Sequence, residues 1–347
     1  MKKYFVIYTL LALAIVGSAY LFNAAIDPYD KYRWNPLGLE KAVTESRELK
    51  FRHIDARRDA YGFFFIGSSR VQRLDPALAE ELTGLRGYNY GVENALPEDL
   101  LAIARHLLAA QKPREVFLLL DFYMLNGYIG IDKRLLQSHL KSYLDPAALT
   151  DTRKSFLGIE RMYFSLEALD DSFTVLWNNW RGIVKKAYEE NGRHVVETPP
   201  DYPRLAKQYF SSQYVDYRID RTRVANLAEI KRLFDAAGVK LTVAISPMNK
   251  EHLDAVFKDD HLRTMFLAYK REVVNIFREV RDFNNFGVEH YDGNPWWFDS
   301  VHPSEPLTAI MLKAALGRET PADPRFGKLV TPGNIEDYLR TEFGERP

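Results

Sequence analysis

The sequence predicts an α/β fold, a parallel sheet with helices on both faces, carried behind an N-terminal membrane helix. Three observations predict it. An apolar run without a charge extends from Tyr4 to Ile26. Short continuous apolar runs at Gly62–Ile66 and Val116–Leu120 have the pattern of strands buried on both faces, and Val239–Ile245 is a third strand candidate. Longer amphipathic stretches separate them, and strands that alternate with helices build a parallel sheet.

The elements follow in order. The 23 residues from Tyr4 to Ile26 give roughly 34 Å of helix, against a hydrocarbon core of about 30 Å. Lys2 and Lys3 stay in the cytoplasm by the positive-inside rule, which exports everything after Asp27. A cleaved signal peptide ending at Gly17-Ser18-Ala19 is the competing reading. The apolar run continues through Tyr20, Leu21 and Phe22, beyond the ~7–15 residues of a signal-peptide core, and so favours an uncleaved anchor over residues 1–26. Residues 27–60, polar and rich in Tyr, Trp and Arg, read as a stem. The main domain is expected over 61–318. Its first strand ends at Gly67, before a possible helix over Val71–Glu81. A helix over Pro97–Ala110 leads to the Val116–Leu120 strand. The irregular, aromatic stretch 132–218 reads as an insertion leaving the carboxyl edge of the sheet, where open α/β folds bind ligands. A helix over 221–237 and a turn at Gly238 precede the third strand. Further helices are expected over 262–280 and 304–316, with a short strand over Val288–Tyr291 between them. Residues 319–347, with Pro321, Pro324, Pro332 and Gly333, read as a C-terminal surface extension.

Composition removes several function classes. The 347 residues carry 47 basic and 47 acidic side chains, so no broad cationic surface is expected, and with it no nucleic-acid partner. The absence of cysteine removes disulfides, Cys-ligated zinc, iron–sulfur clusters and a thiol nucleophile. The eight histidines show no HExxH spacing and there is no Gly-rich phosphate loop, so neither a metal nor another cofactor is expected.

Two short segments can carry chemistry. Gly67-Ser68-Ser69-Arg70 follows a buried strand, where a glycine permits a tight turn and backbone amides beyond a serine can stabilise an oxyanion. Taken alone it is an ordinary strand-to-helix turn with capping serines. Asp299-Ser300-Val301-His302 precedes the last helix. Its carboxylate can fix the imidazole tautomer while the other ring nitrogen takes a serine proton, although alone the pair reads equally as a helix cap.

Together, a Gly-x-Ser after the first strand and an Asp-x-x-His before the last helix resemble the SGNH, or GDSL-like, hydrolase superfamily, from about Tyr61 to Leu316. The resemblance implies a three-layer, flavodoxin-like parallel sheet and a catalytic triad of Ser69, His302 and Asp299. It implies an oxyanion hole formed by the amides of Ser69 and Gly91, the latter in Asn89-Tyr90-Gly91. The third block departs from the family pattern. Where Gly-x-Asn-Asp would stand, the chain reads Asp121-Phe122-Tyr123-Met124, so the asparagine donor is missing. Asn94, Asn126 or a backbone amide would have to replace it, and Asp121 is expected to turn away or pair with a cation such as Arg70. The anchor, the Gly-Ser-Ser form of the first block and the altered third block are similar to one branch, the exported proteins of alginate O-acetylation and of D-alanyl transfer to teichoic acid. That branch implies a single-pass protein of the bacterial cytoplasmic membrane facing the periplasm or exterior, a polysaccharide or other glycan acceptor, and a membrane-bound O-acyltransferase as partner. An esterase of the same fold and a silent scaffold remain open alternatives.

Other aromatics are weaker pointers. Trp296 and Trp297, beside Asp299, can line a substrate site or belong to the core. Arg70 and Asp121 are further candidates for substrate contact. Trp177–Trp180 and Tyr209–Tyr217 in the insertion can form a glycan groove, though packing is the default.

Overall fold

In the computed structural model, which describes residues 2–29, 35–41, 46–144, 163–183, 187–195, 207–293 and 295–344, the strands are β1 (Phe63–Ile66), β2 (Gly87–Asn89), β3 (Glu115–Leu120), β4 (Lys240–Ile245), β5 (Val280–Asp282) and β6 (Lys328–Val330). The helices are α1 (Lys2–Ile26), α2 (Ser46–Ala56), α3 (Pro76–Thr83), α4 (Pro97–Ala110), α5 (Lys133–Gln137), α6 (Leu166–Arg181), α7 (Gln208–Ser212), α8 (Arg221–Ala236), α9 (Lys250–Phe257), α10 (Asp260–Phe277), α11 (Glu305–Ala315) and α12 (Ile335–Phe343). The strands form one sheet of order β2-β1-β3-β4-β5-β6, against which helices such as α3, α8 and α10 pack, whereas α1 contacts α6.

The four apolar residues of β1 are all buried, because the strand lies between two neighbours and is covered by helices. Phe65 registers with Asn89 on one side and Phe117 on the other, both in parallel pairs. Pairing stays parallel through β5, and only β6 runs antiparallel. The order 2-1-3-4-5 reverses direction between β1 and β3, and a crevice for a ligand opens outside the carboxyl ends of strands at such a reversal.

The structure departs from the sequence reading at four places. The helix expected from Val71 begins only at Pro76. Asp75 caps it, accepting from the Ala77 amide at 2.9 Å, and Pro76 fits the first turn, whose missing N–H has no partner to lose. The strand expected over Val288–Tyr291 is a 3₁₀ helix, and the edge strand lies earlier, at β5. There α10 stops at Phe277 because Arg278 takes φ 70°, and Lys270 holds Asp282 at 2.5 Å. β2 is a strand where none was expected. The C-terminal segment is no surface extension: β6 completes the sheet, and α12 buries Leu339 and Phe343, the latter against Phe257 and Phe266.

The stem also joins the body, since Arg47 on α2 is fully buried and donates to Asp99 at 2.7 Å. Its residues 30–34 and 42–45 lie outside the described residues, as do 145–162, 184–186 and 196–206 of the insertion. α1 keeps most side chains exposed and buries only Asn23 and Ile26, at its end.

Candidate active site

The first functional side chain is set by the end of β1. A Cβ on Gly67 would lie 2.8 Å from the Leu119 carbonyl oxygen, so only glycine lets the chain pass β3 this closely. Residues 68–74 then form consecutive tight turns, with the Val71 amide on the Ser68 carbonyl and the Gln72 amide on the Ser69 carbonyl. Ser68 is buried and Ser69 half-buried, facing the crevice.

Opposite it, residues 296–304 close a loop on themselves. The Phe298 amide donates to the His302 carbonyl at 2.9 Å, and the Ser304 amide to the Trp296 carbonyl at 2.8 Å. The Asn249 amide ties the loop to the end of β4 through the Ser300 carbonyl. Asp299 Oδ1 accepts from the amides of Val301 and His302 at 2.8 and 2.9 Å, which leaves Oδ2 to accept from His302 Nδ1 at 2.8 Å. Ser69 Oγ lies 2.8 Å from His302 Nε2. With the carboxylate on Nδ1–H, the Nε2 lone pair points at the serine hydroxyl, the arrangement that general-base activation requires.

Burial pushes the Asp299 pKa up, but hydrogen bonds from the His302 ring and from the Val301 and His302 amides outweigh it and hold the carboxyl well below the ordinary range. The His302 and Asp299 side chains are only 18% and 9% exposed, so their attraction is little screened by water. Tyr209, from the insertion, donates to Asp299 Oδ2 at 3.2 Å. The Arg73 guanidinium lies 3.7 Å from the Phe298 ring centroid, and burial pushes its pKa down to about 10, still a cation at neutral pH.

The oxyanion side differs from the expectation. The Ser69 amide makes no hydrogen bond among the described residues and is available to an oxyanion. The Gly91 amide instead donates to Asn89 Oδ1 at 3.0 Å. The same Asn89 side chain donates to the carbonyls of Val71 and Leu74 at 2.8 and 2.9 Å, so it clasps β2 to the serine turn. Gly91 itself fits so closely that a Cβ would meet Val71 Cγ1 at 2.3 Å. From behind, Lys50 Nζ donates to the Gly91 carbonyl at 2.7 Å, and Gln72 donates to it at 3.1 Å. Burial pushes the Lys50 pKa down to about 7, with Glu93 opposing the shift.

Among the described residues, neither Asn94 nor Asn126 makes a hydrogen bond at the serine. Asn94 is exposed, at φ 49°. Asn126 is buried, its amide nitrogen on the carbonyls of Gln213 and Val215 at 3.0 and 3.1 Å. Asp121 pairs with Arg70, Nη1 to Oδ1 3.2 Å, with the two side chains 1% and 2% exposed. Trp297 is core, donating to the Tyr291 carbonyl at 2.7 Å, and Trp296 packs edge-on against the Tyr291 ring. The Trp297 ring is thus committed to the core, while Trp296 stays half-buried.

No protein-family model and no curated protein matches the chain. The likeness drawn from the motifs therefore rests on these residues and their geometry. Arg73 had no sequence signal as a site residue, while Asn89 was read only as part of Asn89-Tyr90-Gly91 and Tyr209 only as the start of a possible glycan groove over Tyr209–Tyr217.

Proposed function

We propose that the chain is a membrane-anchored, extracytoplasmic serine acyltransferase of SGNH type that passes an O-acyl group, such as acetyl, to a cell-surface or exported polysaccharide. The single observation that carries the proposal is the unbroken Ser69–His302–Asp299 chain, 2.8 Å at each link. Ser69 Oγ attacks the acyl carbonyl carbon while its proton passes to His302 Nε2. The charge that moves onto the carbonyl oxygen is met by the Ser69 amide, and Asp299 balances the imidazolium. Collapse breaks the bond to the donor's leaving oxygen, which takes the proton from Nε2 and leaves acyl-Ser69. An acceptor hydroxyl then gives its proton to Nε2, attacks the acyl carbon and regenerates the serine. If water is the acceptor the same steps make an esterase. A helix able to hold the domain at a membrane favours an acceptor that is exported or surface-bound, with a membrane-bound O-acyltransferase as the donor-side partner.

A second reading is a silent scaffold that binds a glycan or membrane partner. It is favoured by the Gly91 amide already bonded to Asn89 and by Asp121 in the asparagine place, since one lost oxyanion donor costs about 10²–10³ in rate. Intact mass of the detergent-solubilised full chain after treatment with a fluorophosphonate decides between them. Labelling at one site, lost in Ser69→Ala and in His302→Ala while thermal stability is kept, is the expected result. A folded chain that takes no label would remove the enzyme reading and leave the scaffold.

A further inference from the structure

Outside α1, six of the ten exposed large apolar side chains among the described residues fall within 164–183: Phe164, Leu166, Phe173, Trp177, Trp180 and Ile183. Leu166 is 84% exposed and Trp180 75%. At about 100° per residue, Leu166, Phe173, Trp177 and Trp180 fall on one stripe of α6, and Asp170, Thr174 and Arg181 border it along one side. The opposite face turns into the fold, with Ala168 and Ser172 buried and Asn179 half-buried. Ser172 Oγ donates to Asn23 Oδ1 at 2.9 Å, and Asn179 exchanges hydrogen bonds with the Glu40 backbone. A soluble protein seldom leaves such a patch open without a partner for it.

The end of α1 shows which partner. Its 25 residues make about 37 Å of helix, roughly 7 Å more than a hydrocarbon core of about 30 Å. Counted from Tyr4, the core ends near Asn23, which is fully buried and held by the Tyr163 carbonyl at 2.8 Å and by Ser172. Just before that level, the α1 rings meet the patch. Tyr20 stacks on Phe164 at 4.4 Å, and Phe22 packs on Phe173 at 5.1 Å. The stripe is thus continuous with the lipid-facing surface of α1 at the depth where tyrosine and tryptophan collect in membrane proteins. Amphipathic helices that lie in this plane turn leucine and aromatic side chains inward, as α6 does, and Arg181 in its last turn sits where a cation meets the headgroups.

We infer that α6 is a second membrane element, an interfacial helix whose Leu166–Phe173–Trp177–Trp180 stripe lies in the outer headgroup and acyl boundary of the same bilayer that α1 crosses. Trp177 and Trp180 therefore contact lipid and not a glycan. The inference rests on α1 spanning the membrane and is independent of the chemistry at Ser69.

Because the chain has no cysteine, single cysteines report cleanly. Trp180→Cys, Ile183→Cys, Leu13→Cys on α1 and Lys258→Cys at the exposed end of α9 each carry an environment-sensitive NBD label. The full chain, alone in phosphatidylcholine–phosphatidylglycerol nanodiscs, is read with spin-labelled lipids quenching near the headgroup or near the chain end. Labels at 180 and 183 are expected to shift to the blue and to lose most emission to the shallow quencher. The label at 13 should lose most to the deep one, and the label at 258 to neither. Water-like, unquenched emission at both 180 and 183, with 13 quenched, would overturn the inference and assign the stripe to a protein partner. If 13 is unquenched as well, the anchor falls with it. Two reporter positions guard against one variant that fails to fold.

Discussion

The serine crevice and the exit of α1 both take polar side chains out of water, and they treat them in opposite ways. At the exit, Asn23 and Asp27 are wholly buried and bound within the fold: Asp27 accepts from the Tyr163 hydroxyl and pairs with Lys41 at 3.5 Å. At the crevice the polar chain stops at a half-buried serine whose amide has no partner among the described residues, and the imidazole stays partly in contact with solvent. Saturated polar groups hold a structure in place, while an open valence beside an oriented base is what a reaction can use. The first region therefore reads as architecture and the second as chemistry.

The difference can be broken from either side. The largest effect expected at the crevice, short of removing the serine, is from Asp299→Asn, which frees His302 to adopt the other tautomer. Fluorophosphonate labelling should slow by about 10⁴, with little change in fold. A rate that falls no more than a few-fold would separate Asp299 from the chemistry.

Asp27→Ala should do the reverse. Breaking a buried ionic and hydrogen-bonded contact costs on the order of 3 kcal/mol. The loss should appear as faster hydrogen exchange where α1 meets α6, with labelling of Ser69 unchanged. Loss of labelling would show that the two regions are coupled.

The smallest effect expected is at Lys50, which supports the Gly91 carbonyl. The unfolded side chain keeps its proton to about pH 10, whereas burial brings the folded pKa down to about 7. Between those values the unfolded state binds more protons, so this residue makes stability rise with pH. Lys50→Met should flatten that rise when chemical denaturation is compared at neutral and at mildly alkaline pH. An unchanged slope would mean that the ammonium is satisfied where it lies.

How much could be read in advance follows from what each element is made of. β1 and β3 announce themselves because burial on both faces demands four or more consecutive apolar residues, while β4, Lys-Leu-Thr-Val-Ala-Ile, shows a weaker run after a helix and the turn at Gly238. β2 and β5, Gly-Tyr-Asn and Val-Arg-Asp, are three residues each and carry no such run, and their pairing comes from neighbours distant in sequence. The start of α3 was legible in Asp75-Pro76, but the apolar Val71 drew the boundary too early. At the site, Ser69, Asp299 and His302 share short motifs that the sequence displays. The Asn89 clasp, Tyr209 and Arg73 arrive through tertiary contacts that no local pattern records. The Arg70–Asp121 pair was foreseeable, because a carboxylate beside a serine turn needs a cation when water is excluded.

The buttoned end of α1 also bears on search. A catalytic head on a flexible stalk sweeps a volume set by chain length, and its encounters scale with that volume. With α1 spanning the membrane as proposed, the hydrogen bonds of Asn23 and Asp27 to Tyr163 would tie the stalk to the body and hold the crevice near one height. Its reach is a folded dimension, and whatever reacts there must travel to it.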